Sequence, residues 1–483
     1  MTSYSEDDFL APSARLGHWW VPRDTPTRSD GSLSHIPASS SAGVLAMRDE
    51  GHWQLLIRDI RPSGGLVPED SFAIGVERRD SIWGETRDAS VSLFDAWCLK
   101  PASRLNRESE SVWTGNWWAE SWGAWIEPDD LASRIEIEFD TAAEWSERGI
   151  GLIRDINLAE VWNPDTRTVV VPDTLVRQAD VDGDQVCLRR ECVIDASAET
   201  LSVRVRTFFA IEELVPFASI QERWVRPLFQ LLSLCSAANA RVTRIRARTA
   251  EHERWLTLHY PDPLGIKSDG DRSGTASAHT PFINLGSLRD CGVDFGGLLS
   301  NYFDWYRHGY AAALTLLIDS QEPLLDHSVG SRLLSAARSI ETYKKTAQGS
   351  DANVNLGAAL KDLLARSGPI GQDIIRLWDL RGEKPFHNSI PYLRQKHAAH
   401  GPLGNDWRFE SVAELQDLER HAGALQWLLR WQFLQGLGVS PHDATELVTS
   451  CRGYKGMLAS TERQFTASLE PERKHGRSGQ GAD

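Results

Sequence analysis

From about residue 43 to about residue 210, apolar and polar positions alternate with a period of two, the signature of half-buried strands. The runs HWQLLIRDI, SFAIGVE, RIEIEFD, TRTVVV, DQVCLRRECVID and TLSVRVRTFFAI are separated by turn residues, and SIWGETRDASVSLFDAWCL reads as two strands broken at RDAS. Many short strands joined by turns predict a sandwich or barrel, not a parallel α/β sheet. At about Phe217 the period becomes helical, in IQERWVRPLFQLLSLCSAAN, where Pro227 predicts a kink or break. Two strand-like runs, RVTRIRART and WLTLHY, then precede a loop, KSDGDRSGTASAHT. From Phe295 onward the pattern is helical: GGLLSNYFDWYRHGYAAALTLLID, GSRLLSAARSIETYKKTA, VNLGAALKDLLARS, GQDIIRLWDLR, IPYLRQKHAAHG and the long SVAELQDLERHAGALQWLLRWQFLQGLG. Short loops between them predict an up-and-down bundle.

The expected fold class is α+β, a β-rich sandwich or barrel-like domain followed by an all-α helical bundle. Residues 1–42, with TPTRSDGSLSHIPASSSAG, read as a flexible lead-in. Residues 43–320 form the β-rich region, with strands over 43–215 and a mixed part after them. Residues 321–460 form the helical domain, and 461–483, ending in LEPERKHGRSGQGAD, read as a disordered tail.

Composition narrows the function classes. A chain of 483 residues has room for two or three domains. Its net charge of −15 argues against a broadly basic nucleic-acid binder, so any RNA contact needs a local basic site or a groove built by two chains. The start, MTSYSEDDFL, lacks the basic and apolar regions of a signal peptide, and no apolar run approaches a membrane span. The six cysteines show no CxxC pair or zinc-type spacing and read as free thiols of a cytoplasmic protein.

One stretch concentrates positive charge: YLRQKHAAHG, from Tyr392 to Gly401, with Arg394, Lys396, His397 and His400. A nuclease that works without metal needs a group titrating near neutrality and a fixed cation for the phosphate. Histidine meets the first need and the arginine fork the second. Ser389 is the expected helix cap and Gly401 the stop, which puts His400 at the negative end of the helix dipole. On a regular helix Arg394 and His400 would be ~240° apart and ~9 Å along the axis. The pair must therefore sit in an irregular turn or complete a site across two chains. The spacing alone is not specific, since Arg246 to His252 and Arg381 to His387 repeat it.

YLRQKHAAHG resembles the arginine–histidine motif of HEPN domains, all-α bundles found in many defence and toxin ribonucleases. These domains also carry a Glu-x-x-x-Lys/Arg pair on an earlier helix, and SIETYKKT supplies Glu341 and Lys345. DSIWGETRDASVSLFDAWC is similar to a strand pair of the ApeA N-terminal domain, and GVDFGGLLSNYFDWY to the helix leading from it into the HEPN partner. The ApeA family resemblance covers about residues 40 to 440. It implies an anti-phage, abortive-infection protein whose HEPN domain cuts host RNA, transfer RNA by expectation, on a phage signal such as a phage protein. It implies a homodimer or higher homo-oligomer with a composite site and no cofactor or metal. Arg394 and His400 would be catalytic, with Glu341, Lys345, Lys396 and His397 supporting or contacting RNA. The chain departs from many members at Gln395 and in having His397.

Other features have plainer readings. DVDGDQ, with Asp180, Asp182 and Asp184, misplaces the glycine of a calcium loop and predicts a hairpin turn at Asp182–Gly183. WTGNWWAESWGAW predicts packing, or a stacking platform for sugars or bases. In that second case Glu120 and Glu127 become acid and base of a carbohydrate-binding β-sandwich with a helical appendage. A third reading makes the bundle a non-catalytic dimerisation or binding module.

Overall fold

A computed structural model of the chain describes residues 15–21, 40–47, 53–60, 78–100, 108–121, 125–146, 162–163, 168–196, 201–236, 239–251, 254–260, 282–321, 329–349, 354–380, 384–398 and 412–475. Strands β1 (Arg15–Trp20), β2 (Ser41–Met47), β3 (Trp53–Ile60), β4 (Arg78–Thr86), β5 (Ser90–Lys100) and β6 (Glu108–Thr114) form an antiparallel barrel, closed because β4 pairs with both β1 and β5. β5 is long enough to serve twice. It bonds β6 through Trp97–Lys100 and β7 (Trp117–Ser121) through Ser90–Phe94. From β7 an open sheet runs through β14 (Trp255–His259), β13 (Val242–Thr249), β8 (Leu131–Phe139), β12 (Leu201–Pro216), β11 (Asp184–Ala196) and β10 (Thr168–Val181) to β9 (Trp162–Asn163).

The register shows that barrel and open sheet share two continuous faces. Val91 lies opposite Glu120, Glu120 opposite Thr257, Thr257 opposite Arg246, and Arg246 opposite Glu136. On this face the barrel encloses Trp19, Leu45, Leu55, Ile57, Ile82, Leu93 and Trp113. On the open sheet the same face is charged. Glu136 pairs with Arg134 at 3.0 Å and with Arg246, and Arg206 pairs with Glu138 at 3.0 Å and Glu191 at 2.9 Å. The opposite face carries Phe94, Trp117, Ile137, Phe209 and Leu258 into a core shared with the helices.

The helices are α1 (Ala142–Trp145), α2 (Arg226–Cys235), α3 (Leu285–Asp290), α4 (Phe295–Trp305), α5 (Ala311–Asp319), α6 (Val329–Gln348), α7 (Leu356–Arg366), α8 (Pro369–Leu380), α9 (Phe386–Ala398), α10 (Val412–Gly436), α11 (Pro441–Ser450) and α12 (Arg452–His475). One apolar cluster runs from the sheet through Leu228, Tyr302 and Leu314 to Leu333, Leu425 and Trp431 in the later helices. Arg430 spans this junction: its guanidinium lies 4.7 Å from the Trp427 ring and donates to the Ser236 carbonyl at 3.1 Å, just past α2. Burial pushes its pKa down to about 10.

The fold class matches the expectation: a β-rich, barrel-like region comes first and helices follow. Asp182 and Gly183, at φ 60° and 89°, form the predicted hairpin turn between β10 and β11. Pro227 stands in the first turn of α2, after a wide turn at Gln221–Val225. Other expectations are corrected. The lead-in 1–42 contains β1, whose Trp19 and Trp20 are both buried, Trp19 inside the barrel and Trp20 outside against Trp125. Both faces are covered at this end of the strand, whereas Leu16 and His18 before it are exposed. The run from Gly296 to Asp319 is not one helix, because Gly309 at φ 94° breaks it between α4 and α5. α12 continues into the expected tail as far as His475, where Phe465 is buried edge-on to Trp378.

The barrel explains two of its glycines. The Trp19 indole fills the space over Gly43 and Gly84 on the flanking strands, so a methyl group at Gly84 would overlap it. Gly84→Ala should therefore lower stability by the ~1–3 kcal/mol of an overpacked core. Gly456→Ala, in α12 with nothing within 4 Å, should be neutral or stabilising. Urea titrations followed by tryptophan fluorescence would check both, and an unshifted Gly84→Ala midpoint would refute the packing account.

Candidate functional site

α9 carries the basic cluster, and its inward stripe sets its orientation. Phe386 and Ile390 are buried, with Leu393 packed at the margin of the core. Arg394 borders this stripe and reaches α6, where its Nη1 donates to Glu341 Oε1. Ile340, beside Glu341, is buried and holds that turn of α6 against the core. The Arg394 side chain stays 36% exposed and the Glu341 side chain 17%, so the pair sits at the surface with its outer edge open.

The structure thus brings together two of the six expected site residues, Arg394 and Glu341. Lys345 is exposed one turn further along α6, and its neighbour Lys344 pairs with Asp362 of α7 at 2.6 Å. Lys344 and, after it, Arg366 hold the Asp362 carboxyl below its ordinary value. Lys396 and His397 lie on α9, but their side chains are outside the described residues, and His400 is outside them altogether. Ser389 is not the helix cap. α9 begins three residues earlier at Phe386, and the Ser389 hydroxyl donates to the Phe386 carbonyl at 2.8 Å inside the first turn.

His421 on α10 is a residue that sequence reasoning misses. Its Nε2 lies 3.1 Å from Ser389 Oγ, and its Nδ1 is 3.7 Å from an Asp417 carboxylate oxygen. Serine, histidine and aspartate in this order suggest a nucleophile and base. A third contact assigns the ring another role. Trp378 Nε1, which can only donate, bonds Nε2 at 2.8 Å, so Nε2 must accept and the proton sits on Nδ1, facing the Asp417 carbonyl at 2.8 Å. The ring is buried, and its basic lone pair is already engaged. Its bond to Trp378 joins α10 to α8, and Phe386 of α9 lies parallel to the ring at 5.8 Å. The only sign of it in the sequence is the i, i+4 spacing of Asp417 and His421.

The tryptophan-rich segment packs. Trp113, Trp117 and Trp118 are buried, and Trp125 donates to the Gly84 carbonyl at 2.8 Å. Glu120 lies on the same face as Val91, where His259, its Nε2 3.7 Å from the carboxylate, and, secondarily, the charge of Arg15 hold its pKa down. Glu127 faces Ser81 at 3.3 Å, and Ser81 lies opposite Phe94 on the other face, where burial pushes the carboxyl up. The two carboxylates therefore stand on opposite sides of the sheet and share no substrate position.

No family model, no curated protein and no solved structure matches this chain. Among the described residues no helix is long and apolar enough to cross a membrane, and no three His, Cys, Asp or Glu side chains group as metal ligands.

Trp378→Phe removes the N–H that His421 Nε2 accepts, and should cost ~1–3 kcal/mol of stability. A fluorophosphonate reagent should leave Ser389 unmodified when the protein is digested and its peptides weighed. Labelling of Ser389 would mean that the base is free after all.

Proposed function

We propose that this chain is a metal-independent endoribonuclease of the HEPN type, acting in anti-phage defence by abortive infection as the ApeA resemblance implies. The observation that supports it is the pairing of Arg394 with Glu341 across two helices and 53 residues of sequence. These are the two elements, an arginine–histidine run and an earlier Glu-x-x-x-Lys, that the resemblance names as one site.

The chemistry follows from the side chains. A guanidinium has five N–H donors in a planar fork, and Glu341 engages it from one side. The remaining donors suit the non-bridging oxygens of a phosphodiester, where charge builds up in the transition state. The RNA 2′-hydroxyl attacks the adjacent phosphorus, the 5′-oxygen leaves, and a 2′,3′-cyclic phosphate remains. His400 takes the hydroxyl proton or returns one to the leaving oxygen. Glu341 orients the fork, Lys345 meets a neighbouring phosphate, and Lys396 and His397 contact RNA. With a net charge of −15 the positive field has to be gathered locally, which favours a homodimer joining two such sites. In this reading the protein is cytoplasmic, its RNA is a transfer RNA, and the N-terminal region restrains it until a phage signal arrives. A rival reading, a non-catalytic dimerisation module, treats the Arg394–Glu341 pair as a plain helix-to-helix contact.

Purified protein incubated with transfer RNA, followed by sequencing of RNA ends, separates the two. Arg394→Ala and His400→Ala should each lower cleavage by about 10²–10⁴ with circular dichroism unchanged, whereas His397→Ala should cost far less. EDTA should leave cleavage intact. Wild-type rates in both Arg394→Ala and His400→Ala would remove the nuclease reading.

A further inference from the structure

We infer that the charged face of the open sheet is a binding surface for single-stranded RNA, separate from the Arg394 site. The inference is independent of the cleavage chemistry, though the two readings name the same class of ligand. Among the described side chains, strands β11, β12, β8 and β13 present six arginines on this face: Arg189, Arg206, Arg134, Arg244, Arg246 and Arg248. Four glutamates face them, Glu136, Glu138, Glu191 and Glu212. On these four strands the described arginines therefore outnumber the carboxylates, in a chain whose net charge is −15. Arg206 is held by two of those carboxylates, while Glu136 is shared between Arg134 and Arg246. Arg244 is exposed on β13, and among the described residues no carboxylate reaches it within ion-pair distance. Burial of its stem and the like charges of Arg246 and Arg206 push its pKa down, a crowding that a bound anion would relieve.

Arginine alone would suit any polyanion. The aromatic residue in the row favours nucleic acid. Trp255 on β14 is 38% exposed, opposite Arg248, with the guanidinium groups of Arg246 and Arg134 at 4.9 and 5.7 Å from its ring. A ring flanked by cations offers a base a stacking surface beside phosphate donors, the pairing that single-strand binders use. From β11 to β14 the row crosses four interstrand gaps, roughly 19 Å, enough for a short run of nucleotides. Aromatic stacking needs a base free of its partner, so an unpaired strand fits this row better than a duplex.

The test uses the full chain with Arg394→Ala, which should not cut, and a fluorescein-labelled single-stranded RNA followed by anisotropy. Arg244→Ala should weaken binding about ten-fold and reduce the salt slope by about one, since the arginine neutralises one phosphate. Trp255→Ala should weaken it roughly ten-fold at all salt concentrations. Arg134, Arg206 and Arg246 are left in place because removing them strands a carboxylate, and thermal melts verify that the variants fold. Binding equal to the parent in both variants overturns the inference, as does tighter binding of duplex RNA or polyglutamate than of the single strand. If cleavage by the wild-type chain persists while these variants bind normally, the surface falls and the nuclease stands. Face-dependent binding without any cleavage gives the converse.

Discussion

Each strand of the sheet has to serve two environments at once, because successive side chains point to opposite faces. One face is sealed by helices along the open sheet, and the other is either rolled into a barrel or left charged. A slip of one residue on β8 would carry Ile135, Ile137 and Phe139 out of the core and drive Arg134, Glu136 and Glu138 into it. The alternation of charge with branched apolar residues on β8 and β13 is thus the condition for everything attached to them. It places the helices on one side only, and so fixes which surfaces of the helical half remain exposed.

The helical half depends on that shared core in turn. Arg430 is tied to the end of α2 and buried under Trp427, so α10 cannot shift without moving the sheet's own helix. His421, two turns earlier on α10, holds α8 through Trp378 and packs against Phe386 of α9. Arg394 and Glu341 meet at the far side of this assembly. Their separation is set by buried contacts well away from them, which is how a surface ion pair between two different helices acquires a defined geometry. On its own such a pair contributes little to stability.

Period and turn chemistry were the legible part. The strands of HWQLLIRDI, RIEIEFD and DQVCLRRECVID, the Asp182–Gly183 turn and the start of the helices follow from local rules that act over a few residues. The expected strand SFAIGVE lies outside the described residues. What escaped is what depends on partners. Trp19 and Trp20 stand side by side at a strand end covered on both faces, and the exposed Leu16 breaks the apolar-in pattern before them. Phe465 is one apolar residue in a polar stretch, and its burial depends on Trp378, far away in sequence. Of the site, the motif halves could be read separately, whereas the contact between α6 and α9 could not. The opposite placement of Glu120 and Glu127 required the register, since they are only seven positions apart.

Closure of the barrel has a consequence for how the molecule meets its neighbours. A sheet with ends normally exposes two rows of unpaired peptide groups, whereas among the described residues this strand order has one loose end, at β9 and β10. β9 covers only Thr168 and Val169, which leaves most of a strand rich in β-branched residues as a potential template for foreign backbone. Pro172 removes one donor there, two register shifts between Val171 and Arg177 distort the ladder, and α4 packs along the strand. The last rung is therefore blunted, and crowding in a cell brings other chains against side chains instead of an open ladder.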